Sequence, residues 1–554
     1  MSITRQDLVK IAILSFVFFL VAAWNLGMRD VPMTSWQASG GESFYLDLGH
    51  PERVDSIHVL LKEADFVNFK VYTGSPSNWD GNITASMDGY YSWKKIGINR
   101  ETRYLRFVFE YSSGEIAEMV VIGEGGKKIS VNLISGENGD DEALKNLIDE
   151  QEKIECPPTY KSGTYFDEIY YVRTAEDYLN LEEPYEWTHP PLGKLIIAAG
   201  ILIFSYNPFG WRIAGVIFAT LMMPVMYVFG KRMFGTRVAA FISSFLWMFE
   251  FMQFTMGRIA TVDTFAVFFS TMSSLFFFTY FQGVIQKKKA SIRTLFLAVL
   301  FFALGFSTKW YVLYGFIGQV FLLVVLRLRE LLTFSGRWTG RVKEFFRYPF
   351  LPMIGFIAVA AIIYVLTFIP YMMVGHTLRD VYEMQWTMYN YHSQLTATHP
   401  FSSPWWSWPL IIKPVWLYVS YLPDGLVSTI ASMGNPAIWW VGAILLFFAV
   451  AKIIKEGDFV CLFIVTIFLF QWLPYVFISR CVFLYHFYVS VPLLVLTVTY
   501  FLKELWKKRY GKLVVLVYLV IVAVLFVLFY PVISGYPVPY GWKEVLRWLQ
   551  SWMF

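Results

Sequence analysis

Charge is scarce in this chain. Only 16% of its 554 residues are Asp, Glu, Lys or Arg, against 56% hydrophobic and 19% aromatic, and the mean hydropathy is +0.49. Soluble domains carry about 25% charged residues, so a soluble protein of this length is excluded and a membrane protein is expected. Cysteine is scarce as well. Cys156, Cys461 and Cys481 make neither a disulfide framework nor a CxxC metal site. The net charge of +5 is weak, and the basic residues sit in short loops between apolar runs, where topology accounts for them. Nucleic acid is therefore not an expected partner. Internal repeats are also missing.

What is present falls into blocks. Residues 1–29 hold "IAILSFVFFLVAAWNLGM" after a basic start with Arg5 and Lys10. Without a small-residue cleavage site behind it, this run reads as a retained transmembrane helix with a cytoplasmic amino terminus. Residues 30–135 change character. "SFYLDLG", "RVDSIHVLLK", "NFKVYTG", "YLRFVFEY" and "KKISVNLI" are short β-rich segments separated by turn residues, the spacing of a β-sandwich. In "YLRFVFEY" the apolar face is Leu105, Phe107 and Phe109. Residues 136–162 are an acidic linker with Leu144, Leu147 and Ile148 at helical spacing.

The remainder alternates apolar runs with aromatic loops. Residues 163–210 contain an acidic pair and "GKLIIAAGILIFSY", which is too short to span and reads as an interfacial helix. Spans are expected within 211–370 and 436–531, and with the first helix they total about eleven. Residues 371–435 form an outer loop in which Leu378, Val381, Gln385, Met388, His392 and Leu395 make one helical stripe. Residues 532–554 are an outer tail. Loop charges fix the orientation. Lys231, Arg232 and Arg237, then Lys287, Lys288, Lys289 and Arg293, then Arg327, Arg329, Arg337, Arg341, Lys343 and Arg347, then Lys503, Lys507, Lys508, Arg509 and Lys512 all fall on the amino-terminal side of the bilayer. That side is cytoplasmic by the positive-inside rule, so the β domain and the acidic pair are extracytoplasmic.

Ionisable residues gather at the outer helix ends. Asp167 and Glu168 stand in "TYFDEIYY", His189 and Lys194 in "THPPLGK", Arg212 at a span start, and Arg258 and Asp263 in "GRIATVD". Lys309 in "STKWYVLY", His392, His399 in "THPFSSPWW", and Arg480 and His486 in "SRCVFLYHF" complete the set. A single cation at such a place only marks the interface, where long side chains reach the headgroups. Several converging on one face with paired carboxylates point to a site. Carboxylates among aromatics are costly unless they are paired or used. Adjacent residues also point apart, so the two acids are expected to serve different tasks.

In order, "FDEIYY", "THPPLGK", "GWRIAGVIFA", "GRIATVD", "STKWYVLY", "HPFSSPWWSWPL", "GNPAIWW" and "SRCVFLYHF" resemble the landmarks of the protein O-mannosyltransferase family, membrane glycosyltransferases of the GT-C type. The likeness runs from residue 163 to about residue 500. The chain looks like a bacterial relative, without the β-trefoil insert of eukaryotic members; it adds a β domain, and has Tyr170 where relatives often carry His. The fold implied is a polytopic α-helical GT-C membrane protein with an inserted extracytoplasmic β-sandwich, itself similar to galactose-binding jelly rolls. The activity implied is inverting transfer of a hexose, mannose by resemblance, from a polyprenyl-phosphate-sugar donor to Ser or Thr hydroxyls of exported proteins. A lipid or envelope-glycan acceptor is the alternative, and a lipid-linked sugar transporter a more distant one. The resemblance makes Asp167 the base and Glu168 its support. It gives His189, Lys194, Arg212, Arg480 and His486 to the donor phosphate, and makes Arg258, Asp263 and His399 supporting residues. No metal or other cofactor is expected, although adjacent carboxylates have the chemistry to hold a divalent cation.

Overall fold

Lipid offers no partner for a backbone N–H or C=O, so each apolar run must close its own hydrogen bonds as a helix. The computed structural model describes residues 3–137, 142–286, 290–333, 338–340, 342 and 349–554. The loop cations Lys287, Lys288, Lys289, Arg337, Arg341, Lys343 and Arg347 lie outside the described residues. All eleven expected span positions are helical: α1 (Arg5–Ala23), α4 (Pro208–Phe234), α5 (Arg237–Met248) with α6 (Phe251–Gly257), α7 (Asp263–Ile285), α8 (Ile292–Phe306), α9 (Val312–Thr333), and helices at Phe350–Leu366, Pro436–Glu456, Phe459–Trp472, Val491–Trp506 and Gly511–Ser534. Among the described residues eight helical stretches are long and apolar enough to cross a membrane, or nine if α5 and α6, bent by 57°, are one span. The shortfall from eleven comes from α8 and Phe350–Leu366, at 15 and 17 residues. The three cysteines are all free.

Polar side chains set the bends and starts. Asn207 caps α4 by accepting from the Gly210 N–H at 2.8 Å, with Pro208 in the first turn. Between α5 and α6 the buried Glu250 carboxylate accepts from the Gln253 N–H at 2.6 Å and Trp439 Nε1 at 2.9 Å. Asn435 caps the helix Pro436–Glu456 and donates Nδ2 to the carbonyls of Phe249 and Val522, at 3.0 and 3.2 Å. "GNPAIWW" is thus a structural tie between helices.

The β domain is one antiparallel sheet that curls over its own core. Strand β2 (Ser43–Ser75) pairs with β3 (Asn78–Gly123) along both edges, so that Val59 lies opposite Lys94 on one side and Met119 on the other. β1 (Trp36–Ser39), β4 (Lys128–Ile129) and β5 (Leu133–Gly136) extend this sheet. Alternation gives the sheet two faces. Ile57, Val59, Leu61, Leu105, Phe107 and Phe109 fill the domain core, whereas Leu60, Tyr90, Tyr91 and Ala117 pack on α2 (Glu168–Asn180), α3 (Leu192–Phe204) and α4. A face against the helices is why the domain is docked rather than tethered. Beyond the bundle, β6 (Val415–Tyr421), β7 (Leu426–Ser432) and β8 (Val538–Pro539) make a small second sheet in that order.

Candidate active site

The acidic pair sits on a sharp reversal. Phe166 has φ of +52°, a left-handed conformation that a bulky residue takes only where its surroundings enforce it. Tyr165 turns one way, with its ring 5.7 Å from that of Tyr418. Phe166 turns the other way, edge-on to Tyr485 at 6.2 Å. The β domain holds this reversal from behind: the Thr164 N–H donates to the Tyr91 carbonyl at 2.8 Å and its hydroxyl to the Tyr90 carbonyl at 2.6 Å. The stretch ends in α2, with Asp167 at the cap position and Glu168 in the first turn.

The two carboxylates have opposite surroundings. Glu168 is wholly buried and fully engaged: Arg212 Nε and Nη2 donate to it at 2.7 and 2.6 Å, and the N–H groups of Ala260 and Tyr165 add bonds at 2.9 and 3.2 Å. Asp167 is half-buried, and its carboxylate has no hydrogen bond or ion pair among the described residues. Burial pushes its carboxyl up to about 7; Lys309 opposes that rise, and Asp263 and Glu186 add to it.

The cations are largely taken. Arg212 directs its remaining donors to the carbonyls of Leu26, Tyr160 and Gly163 at 3.0, 2.9 and 2.8 Å. Lys194 is buried and gives its three protons to Glu186 Oε2, the Glu186 carbonyl and the His189 carbonyl at 2.7, 2.6 and 2.8 Å. Arg212 and Lys194, which the resemblance gives to the donor phosphate, thus have every side-chain N–H engaged within the chain. Nor do Arg258 and Asp263 pair. Arg258 donates to the carbonyls of Ala22, Trp24 and Asn25, and Asp263 accepts from Lys309 at 2.9 and 3.1 Å and from the Tyr311 hydroxyl at 3.2 Å.

Glu186 is the residue that sequence reasoning missed. Burial would raise its carboxyl, but the charge of Lys194 and the hydrogen bonds from Lys194 and His189 hold it well below the usual carboxylate range. Its Oε1 lies 2.9 Å from His189 Nδ1, so that nitrogen carries the proton and Nε2 is an acceptor. Burial keeps the His189 ring neutral against the pull of Glu186. His392 faces it, ring centroids 5.3 Å apart, with Nε2 2.8 Å from the Thr188 carbonyl and Nδ1 buried without a partner.

These rings and Lys309 line a cavity of ≈ 470 Å³ whose other walls include Trp310, Tyr314, Arg480 and His486. A second cavity of ≈ 440 Å³ shares Tyr475, Ile478, Ser479 and Arg480 with it. Arg480 thus stands where the two meet, half-buried and with no ion pair among the described residues. His486 stacks at 4.9 Å on Tyr485, and Lys309 lies 5.8 Å from the same tyrosine ring. His399 is exposed, packs edge-on against Phe483 at 5.1 Å, and lines neither cavity. Both oxygens of Glu168 already accept hydrogen bonds from Arg212 and from backbone N–H groups, and Asp167 shares none of these partners. Among the described residues, one trio of acids, Glu118, Asp149 and Glu150, brings possible ligand atoms within 4.8 Å, and it belongs to the β domain and linker.

Two family models match the chain. Residues 188–364 match "Dolichyl-phosphate-mannose-protein mannosyltransferase" and 377–552 match "C-terminal four TMM region of protein-O-mannosyltransferase". Together they span more than half the chain and leave the β domain out. A polyprenol-phosphate-mannose–protein mannosyltransferase of Mycolicibacterium smegmatis is 23% identical over 461 residues, covering 71% of this chain and 89% of that protein. One of Mycobacterium tuberculosis is 25% identical over 463 residues, covering 70% and 86%. In fold, the chain is similar to a solved Saccharomyces cerevisiae Pmt1–Pmt2 complex bound to the sugar donor, with a TM-score of 0.61 at 11% identity, covering 70% of this chain and 89% of that one.

Proposed function

Because the chain belongs to the protein O-mannosyltransferase family, we propose that it moves mannose from a polyprenyl-phosphate donor to Ser or Thr hydroxyls of exported proteins, with Asp167 as general base. The observation that carries the assignment is the division of the acidic pair. Glu168 is consumed by Arg212, whereas Asp167 is uncommitted and feels the charge of Lys309, a residue that lines the cavity. In the transfer the acceptor oxygen attacks the sugar C1, the bond from C1 to the phosphate oxygen breaks, and the hydroxyl proton passes to Asp167. The leaving group is a phosphate that is already anionic, so it needs positive charge more than a proton donor. Arg480 lines the cavity with no ion pair among the described residues and so has donors to offer, and Lys309, partly paired with Asp263, lines it as well. A neutral His189 suits a sugar hydroxyl better than a phosphate, since its Nε2 accepts a hydrogen bond. The active-site end of the bundle is assigned to the extracytoplasmic side, where exported proteins pass.

Asp167→Asn tests the base. A general base contributes about 10²- to 10⁴-fold, so kcat should fall at least hundredfold while the donor KM and the thermal midpoint in detergent hold, the Asp167 carboxylate having no bond within the fold. A folded variant that transfers mannose at the wild-type rate rules the assignment out.

A further inference from the structure

A cleft of ≈ 590 Å³ lies between the β domain, the end of the linker and the β6–β7 hairpin, and shares no lining residue with the cavities above. One wall is β6, where Tyr418, Val419, Ser420 and Tyr421 all line it. Alternate side chains of a strand point to opposite faces, so four consecutive lining residues mean that the edge of the strand, not one face, borders the cleft. Among the described residues that edge has no strand partner: the sheet order is β6-β7-β8, and β6 pairs only with β7. The opposite wall holds His58, which alternates with the core residues Ile57 and Val59 and so points out of the domain core. His58 is 8% exposed, and neither ring nitrogen has a hydrogen-bond partner among the described residues. Its ring is neutral, since burial and the charge of Lys95 hold it down at about 4. It therefore offers one donor and one acceptor and no charge. The two walls are joined where Gly126 of the β domain meets the tip of the β6–β7 hairpin; a Cβ there would lie 2.3 Å from Pro423 Cγ.

We propose that this cleft docks the acceptor polypeptide, an extended Ser/Thr-bearing segment that pairs with the free edge of β6 and hydrogen-bonds His58. An open strand edge in a polar cleft recognises backbone, which is what an enzyme acting on varied protein segments requires. The cleft also runs to the catalytic loop, since Gly163 and Thr164 line it. Asp167 is three residues further on, which puts the two α-carbons at most about 11 Å apart. Three or four residues of extended chain, at about 3.3 Å each, cover that distance. The β domain, which lies outside both family models, thereby forms half of the acceptor site.

The inference rests on the function proposed above, and its test separates the two. Purified full-length protein is given polyprenyl-phosphate-mannose and a synthetic Ser/Thr-rich peptide. Ser420→Arg and His58→Leu should each raise the peptide KM about tenfold, with donor KM and saturating kcat within twofold of wild type, and His58→Asn should recover most of the loss. An unchanged peptide KM in a folded Ser420→Arg protein overturns the docking site while leaving the transferase reading intact. If wild-type protein glycosylates no peptide, the functional reading fails instead, and the cleft is judged by a photo-crosslinking residue at Tyr421. Capture of the peptide there supports docking, and no capture overturns it.

Discussion

Asp167 and Glu168 are one peptide bond apart, yet only one of them is free to take a proton. The left-handed Phe166 ahead of them and the start of α2 behind fix which carboxylate meets Arg212. A base must be ionised to act, and burial pushes the Asp167 carboxyl up to about 7. Below that pH the carboxyl is protonated and cannot accept the acceptor's proton; above it the base is ready. We therefore expect log kcat/KM to rise with slope one on the acid side and to level off above about pH 7, with the limb absent from the residual activity of Asp167→Asn. A flat profile between about pH 5 and 8 would show that proton transfer to this carboxylate does not limit the reaction. The acidic pair and its separate surroundings were legible in the sequence because neighbours on a helix start point apart. The pairing of the cations was not. Lys194 and Arg212 look free in a string of letters, and the acid that takes Lys194, Glu186, is one of three in "EEPYEW", a stretch that reads as solvated.

Arg212 ties four elements at one point. Its five N–H groups reach the chain leaving α1 at Leu26, the linker at Tyr160, the catalytic loop at Gly163 and the first turn of α2 at Glu168, all from the start of α4. Lysine has three donors and no fork, so Arg212→Lys leaves buried acceptors without partners even though it keeps the charge. Breaking a buried pair costs about 3–5 kcal/mol, and the variant should unfold at a clearly lower temperature in detergent, with Glu168→Gln doing the same. A midpoint within a degree of wild type would mean that this knot does not hold the elements together. The helices themselves were legible because membrane-length apolar runs admit little else. Their interruptions were not: the bend after α5 depends on Glu250 finding Trp439 and Asn435, about 185 residues away in the chain. The β segments were legible from alternation, but not the second face of the sheet, since Leu60 and Tyr91 become buried only when α2 and α4 are beside them.

Ion clusters mark both ends of the bundle. At the end of α4 Lys231 meets Asp7, which also accepts from the Tyr227 hydroxyl at 2.8 Å; at its start Arg212 meets Glu168. The 19 helical steps from Arg212 to Lys231 rise about 28 Å, close to the roughly 30 Å of a hydrocarbon core. The two clusters therefore stand where the two interfaces belong, and the depth of the molecule in a bilayer follows from them. Basic residues crowd the Lys231 end, with Arg232 and Arg237 close by in sequence, so the orientation proposed above, which follows the positive-inside rule, has that end in the cytoplasm and Asp167, the cavities and the β domain outside. The chain carries its own reporter of this arrangement. Cys156 is exposed in the linker beside the β domain, Cys461 is buried and Cys481 half-buried. In a Cys481→Ala background, a membrane-impermeant maleimide added to intact cells should label Cys156, to the same extent as after permeabilisation. Labelling that appears only once the membrane is breached would invert the molecule, placing the acceptor cleft and Asp167 on the cytoplasmic side, where no exported polypeptide waits.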